Sequence, residues 1–128
     1  MKKVLLCLLA VSALSMPACD EEATGPTGGP PQSAYLVEYE VWLFGTVQSI
    51  SATYTNDKGT NVTADITSTI NPWTWRGSIK AGTTVVLDVQ ASGGSSATLS
   101  GTIDVENVNW KNQSVTGTNP RISMSGKL

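Results

Sequence analysis

The chain has 128 residues, enough for one domain with a leader and a linker. It contains no histidine, and eight basic residues nearly balance ten acidic ones. This excludes a strongly basic nucleic-acid binder and any histidine-based zinc or acid–base site. Both cysteines, Cys7 and Cys19, fall in the first nineteen residues. The body of the protein therefore has no thiol for nucleophilic chemistry, a metal cluster or an internal disulfide.

Lys2 and Lys3 precede an apolar run from Val4 to Leu14. Eleven residues is the length of a signal-peptide core, whereas a membrane-spanning helix needs roughly 17–25. The following Ser15-Met16-Pro17-Ala18-Cys19 resembles a bacterial lipoprotein signal, with Met16 where Leu is more usual. The resemblance implies a signal peptide over 1–18, cleavage before Cys19, and a diacylglycerol and an N-acyl chain on that residue. No other cofactor is expected. An ordinary secretory signal cut after Ala18 is the other reading, and it leaves Cys19 as a lone thiol in an oxidising compartment. Each buried methylene contributes about 0.8 kcal/mol, so two or three acyl chains anchor a protein stably where one does not. The expected location is the bacterial cell envelope, on a membrane facing the periplasm or the cell surface.

Asp20-Glu21-Glu22 reads as a solvated acidic stalk; it also resembles the surface-export signals of lipoproteins in the Bacteroidetes group. Loss of Lys2 and Lys3 leaves six basic and ten acidic residues, a net charge of −4. Anionic headgroups repel such a chain weakly, so membrane attachment rests on the lipid. Residues 20–33, DEEATGPTGGPPQS, carry no aliphatic side chain larger than Ala and cannot bury enough surface to fold. The lipid-anchored tether thus covers 19–33; its fourteen residues after Cys19 reach at most about 50 Å.

From Ala34 to Leu128 the pattern becomes one of strands. Tyr35, Val37, Tyr39, Val41 and Leu43 alternate on one face of a first strand, opposite Glu38 and Glu40. A second run covers Val47 to Thr55, with Ile50, Ala52 and Tyr54 alternating. Asn56-Asp57-Lys58-Gly59 is a hairpin turn, and the return strand is read over Asn61 to Ile70. Another strand through Ile79 ends at Lys80-Ala81-Gly82. Val85, Leu87 and Val89 share a face, Gly93-Gly94 turns the chain, and Ala97, Leu99, Ile103 and Val105 point inward on the next strand. Asn107 to Thr118 is polar and uneven, and Arg121 to Leu128 is a last strand. The expectation is an all-β domain over 34–128, a small immunoglobulin-like sandwich of about seven antiparallel strands.

Tyr39-Glu40-Val41, Gly45, the run from Ile50 to Gly59, Pro72-Trp73, Lys80-Ala81-Gly82 and the aliphatic strands 83–91 and 97–105 follow one another in an order similar to the MmpS family of transport accessory domains. The resemblance covers about residues 37–106. It implies an extracytoplasmic β-sandwich that assists lipid exporters of the resistance-nodulation-division class, with an envelope transporter or another envelope protein as partner. Two departures stand out: family members are usually held by a transmembrane helix, and many carry a later cysteine pair that this chain lacks.

No catalytic constellation is legible. Asp88, Asp104 and Glu106 read as surface carboxylates, whereas glycoside hydrolysis needs two facing each other in a cleft. Asp57 and Asp65 lack the spacing of a calcium loop, so no metal site is expected. The absence of histidine and of a Ser-x-x-Lys pair in the domain removes the usual activating bases. The protein is therefore expected not to be an enzyme, nor to bind nucleic acid. Trp73 and Trp75, two residues apart, face one side of a strand; with Arg76 they make either a stacking platform for a sugar, lipid or protein, or a core plug. Trp42 shares a face with Phe44 and is a further candidate, while Trp110 is expected to cap an end of the sandwich. Three readings follow: an MmpS-type interaction domain, a glycan- or surface-binding lipoprotein using Trp75 and its neighbours, and a structural envelope lipoprotein.

The lipid anchor is tested by Cys19→Ser. The variant is expected to be unprocessed or to move to the aqueous phase in detergent partitioning, and its unchanged recovery with detergent overturns the assignment.

Overall fold

A computed structural model describes residues 26–66 and 70–128; the expected signal peptide, Cys19 and the start of the tether lie outside the described residues. Residues 26–33 form turns and bends without a strand. The domain that follows is all-β, with eight strands: β1 (Ala34–Phe44), β2 (Ser49–Thr55), β3 (Asn61–Ile66), β4 (Trp73–Lys80), β5 (Thr84–Ser92), β6 (Ala97–Val105), β7 (Val108–Gly117) and β8 (Arg121–Lys127). They form two four-stranded sheets, ordered β4-β1-β6-β7 and β3-β2-β5-β8, and every pairing is antiparallel. Only β2–β3 and β6–β7 are connected within one sheet; every other connection crosses between the two.

The inner faces are those set by alternation. Tyr35, Val37, Tyr39 and Val41 from β1 pack with Leu99, Ile103 and Val105 from β6, and meet Val85, Leu87 and Val89 from β5 across the sandwich. Burying each such side chain contributes about 1.5–3 kcal/mol. The Asn56–Gly59 turn forms as its sequence predicts. Gly59 sits at φ 75°, and the Asn56 Oδ1 accepts the amides of Lys58 and Thr60 at 3.0 and 3.1 Å.

The eighth strand is β7, drawn from the stretch that reads as polar and uneven. Two features hide it. The β6–β7 turn is Glu106-Asn107, both at positive φ (54° and 63°), the geometry for which Asn-Gly is the usual signature. The Glu106 carboxylate accepts the Leu36 amide at 2.7 Å, and its own amide donates to the Leu36 carbonyl at 2.8 Å. These bonds hold a conformation that a non-glycine residue otherwise avoids. A bulge then leaves Trp110 unpaired between the Ile103–Lys111 and Asp104–Asn109 pairs, which shifts the period-two pattern by one residue. The described part of the third strand ends at Ile66, short of the expected Ile70.

Three strand glycines serve as seats. A Cβ on Gly101 would collide with the Ile122 side chain of the facing sheet; one on Gly77 would meet the Trp75 indole, and one on Gly126 the Trp110 indole. Gly101→Ala is expected to destabilise the domain by about 1–3 kcal/mol through overpacking, lowering the urea midpoint. An unchanged midpoint would show that the Ile122 side chain yields without cost.

Candidate binding face

The structure divides the aromatic residues into an inner and an outer group. In the β1–β4 register, Trp75 lies opposite Tyr39 and Trp73 opposite Val41, so both indoles point between the sheets. Tyr39 stacks on Trp75 at 5.4 Å, and Tyr54 tilts against Trp73 and Trp75 at 5.2 and 5.4 Å. Trp73 and Trp75 are half-buried against the core. Through Tyr54 of β2 they bridge the two sheets beside the edge strand β4, in the position of a core plug, with part of each ring still exposed. Arg76 faces the other way. It lies opposite Glu38, with its Nε 3.5 Å from the Glu38 carboxylate and an Nη2 bond of 2.9 Å to Asn107. A platform uniting Arg76 with Trp73 and Trp75 is therefore corrected by the alternation of β4 itself.

Trp42 lies on the outer face, as its position predicts. Its indole donates to the Glu40 carboxylate, and its ring is parallel to that of Phe44 within 4°, with centroids 6.1 Å apart. Phe44 is 57% exposed. The neighbouring outward residues are Ser100, opposite Trp42, and Thr98, opposite Phe44. On β7, Thr98 and Ser100 face Thr116 and Ser114, and the Thr98 and Thr116 hydroxyls are 2.7 Å apart. Beyond the end of β4, the Asn71 side chain stands in for a strand. Its Oδ1 accepts the Leu43 amide at 3.0 Å, and its Nδ2 donates to the Leu43 carbonyl at 2.7 Å. This brings the adjoining Ile70, 58% exposed, to the same end of the sheet. Sequence reasoning did not single out Asn71, Phe44 as a ring partner, or the hydroxyl rows; the alternation that placed Trp42 outward also identifies the rows.

Trp110 is corrected from an end cap to a side wall. Its indole rests on Gly126 of β8, with the Lys111 ammonium 5.0 Å from the ring centroid. Beside it an open groove of about 460 Å³ runs between β7 and β8, lined by Trp110, Lys111, Asn112, Ser123, Met124 and Ser125. The Gln113 side chain accepts the Ser123 amide there at 2.9 Å, occupying part of the β8 edge.

The carboxylates are dispersed. Asp88 is held by Arg121 through two bonds of 3.0 and 2.7 Å, which favour the charged guanidinium and raise its pKa. Asp104 accepts from Asn109, and Asp65 lies opposite Ser51, along β3 from the turn that holds Asp57. Among the described residues no three acidic, cysteine or histidine side chains gather as metal ligands. No protein-family model and no curated protein matches this chain.

One buried titratable group is central. The Tyr39 hydroxyl donates to the Thr55 carbonyl at 2.9 Å, and burial is the main cause that pushes its pKa well above the ordinary phenol range. The folded state therefore keeps the proton after the unfolded chain has lost it. This contribution is fully present below about pH 10 and falls by about 1.4 kcal/mol per pH unit above it, until the folded-state pKa is reached. Tyr39→Phe is expected to remove that alkaline slope in denaturant titrations at pH 9–11; an identical slope in the variant overturns the assignment.

Proposed function

We propose that this chain is a lipid-anchored, non-enzymatic lipoprotein of the bacterial cell envelope, held through acyl chains on Cys19, and that its β-sandwich is an accessory interaction domain of MmpS type. The order of motifs from Tyr39 to Val105 supports the family reading, and the Ala18-Cys19 junction supports the anchor. The lack of histidine and the dispersed carboxylates support a role in binding rather than catalysis.

One observation carries the proposal. The tether joins β1 at Ala34, and the partly exposed Trp42–Phe44 pair lies at the other end of that strand, about 27–34 Å away at the rise of an antiparallel strand. Elsewhere in β1, Tyr35, Val37, Tyr39 and Val41 are buried in the core, and Leu36, on the same outer face as Trp42, is half-buried. A domain tethered at one end and carrying its outward aromatic residues at the other is suited to meet a partner away from the anchoring membrane.

A photo-crosslinking amino acid placed at Phe44, and separately at Thr53 on the outer face of the other sheet, tests this in living cells. Adducts with an envelope transporter are expected from position 44 and not from position 53. The same background adducts at both positions overturn the interaction face.

A further inference from the structure

We propose that the half of this outer face around Trp42 and Phe44 binds an extended, uncharged polysaccharide strand. The inference rests on the reading of that face as a binding surface, and it adds an envelope glycan as a ligand of that face beside the protein partner. A pyranose ring presents C–H bonds on its faces and hydroxyls around its rim, so it needs an apolar ring contact flanked by hydrogen-bonding groups. Trp42 and Phe44 supply two parallel rings on one strand. The hydroxyls lie in register beside them: Ser100 and Ser114 in the row of Trp42, Thr98 and Thr116 in the row of Phe44. Adjacent strands are about 4.8 Å apart, which places these hydroxyls one and two strands from the aromatic rings, within the width of a polysaccharide chain lying along the sheet. Hydroxyls donate and accept, matching a sugar rim without regard to which partner carries the proton.

The next row adds Thr74 and Thr102 on either side of Glu40. The Glu40 carboxylate accepts the Trp42 indole proton through one oxygen, which orients the indole. Its other oxygen makes no hydrogen bond among the described residues and is an acceptor for sugar hydroxyls. In these three rows Glu40 is the only ionisable side chain, so a sulfated or uronic-acid polysaccharide meets no counter-charge and one repulsive carboxylate. The paired strands set these side chains in parallel rows, along which an extended chain can lie.

The test uses the full lipidated protein in detergent micelles, incubated with insoluble chitin and cellulose as uncharged probes and with alginate gel as a polyanion. Retention is expected on an uncharged probe and not on alginate. Trp42→Ala and Phe44→Ala are each expected to weaken it at least tenfold while melting within a few degrees of the parent, and Thr53→Ala on the other sheet is expected to leave it unchanged. Absence of retention on both uncharged probes, equal retention on alginate, or full retention by both aromatic variants overturns the proposal. If retention is absent while the position-44 crosslinker captures an envelope protein, the glycan inference fails and the accessory reading stands. Absence of both retention and adducts overturns the two together.

Discussion

A sandwich without a disulfide must close its open sides with side chains, and here the closure depends on large groups seated on strand glycines. Trp75 lies on Gly77 along one side, Trp110 on Gly126 along the other, and Ile122 reaches across the middle onto Gly101. Each glycine weakens its own strand, since it adds no packing surface and carries excess backbone entropy. The void it leaves is filled by an indole or an isoleucine, which removes more apolar surface from water than an alanine Cβ at that position would. No cysteine occurs between Ala34 and Leu128, so the Ile122–Gly101 and Trp110–Gly126 contacts, the packing of Trp75 on Tyr54 and the aliphatic layers of β1, β5 and β6 hold the sheets together.

The same closure sets what remains available for function. Trp73, Trp75 and Tyr54 are committed to bridging the sheets beside β4, and Trp110 to the β7–β8 side with Lys111 beside its ring. Trp42 is left as the tryptophan that faces outward from a regular strand, and the exposed Phe44 lies parallel to it. The outer hydroxyls that surround them contribute little to the core. Their density is explained equally by hydration of a sheet surface and by hydrogen bonding to a sugar; the parallel rings at the same end of the sheet and the absence of lysine and arginine from those rows favour the sugar.

The buried polar groups show the same economy of position. Thr55 is fully buried, and its hydroxyl both donates to Asn61 Oδ1 at 2.7 Å and accepts the Val86 amide at 2.9 Å, while its carbonyl accepts the Tyr39 hydroxyl. This network ties β1, β2, β3 and β5 together, and among the described residues no buried side-chain polar atom lacks a partner. Satisfying such groups matters more than their net contribution, because an orphaned buried donor or acceptor costs about 1–3 kcal/mol.

Period-two alternation alone determined the all-β class, the inward residues of β1, β5 and β6, the Asn56–Gly59 turn and the outward placement of Trp42, because side-chain direction in a strand is a local consequence of the pleat. It also determined that Trp73 and Trp75 share a face and, read strictly, that Arg76 does not. Tertiary structure decided which of the two faces of β4 is the core, since that depends on where β1 and the opposite sheet lie. It also decided that β7 is a strand, because its turn and bulge are held by bonds to Leu36 and by pairing with β6 rather than by residues with a strong local signature. The seats at Gly101 and Gly126 and the strand-like role of Asn71 were decided there as well: each requires a side chain and a backbone distant in sequence to meet, two of them across the sandwich, whereas the Trp75–Gly77 contact joins neighbours two residues apart on one face of β4.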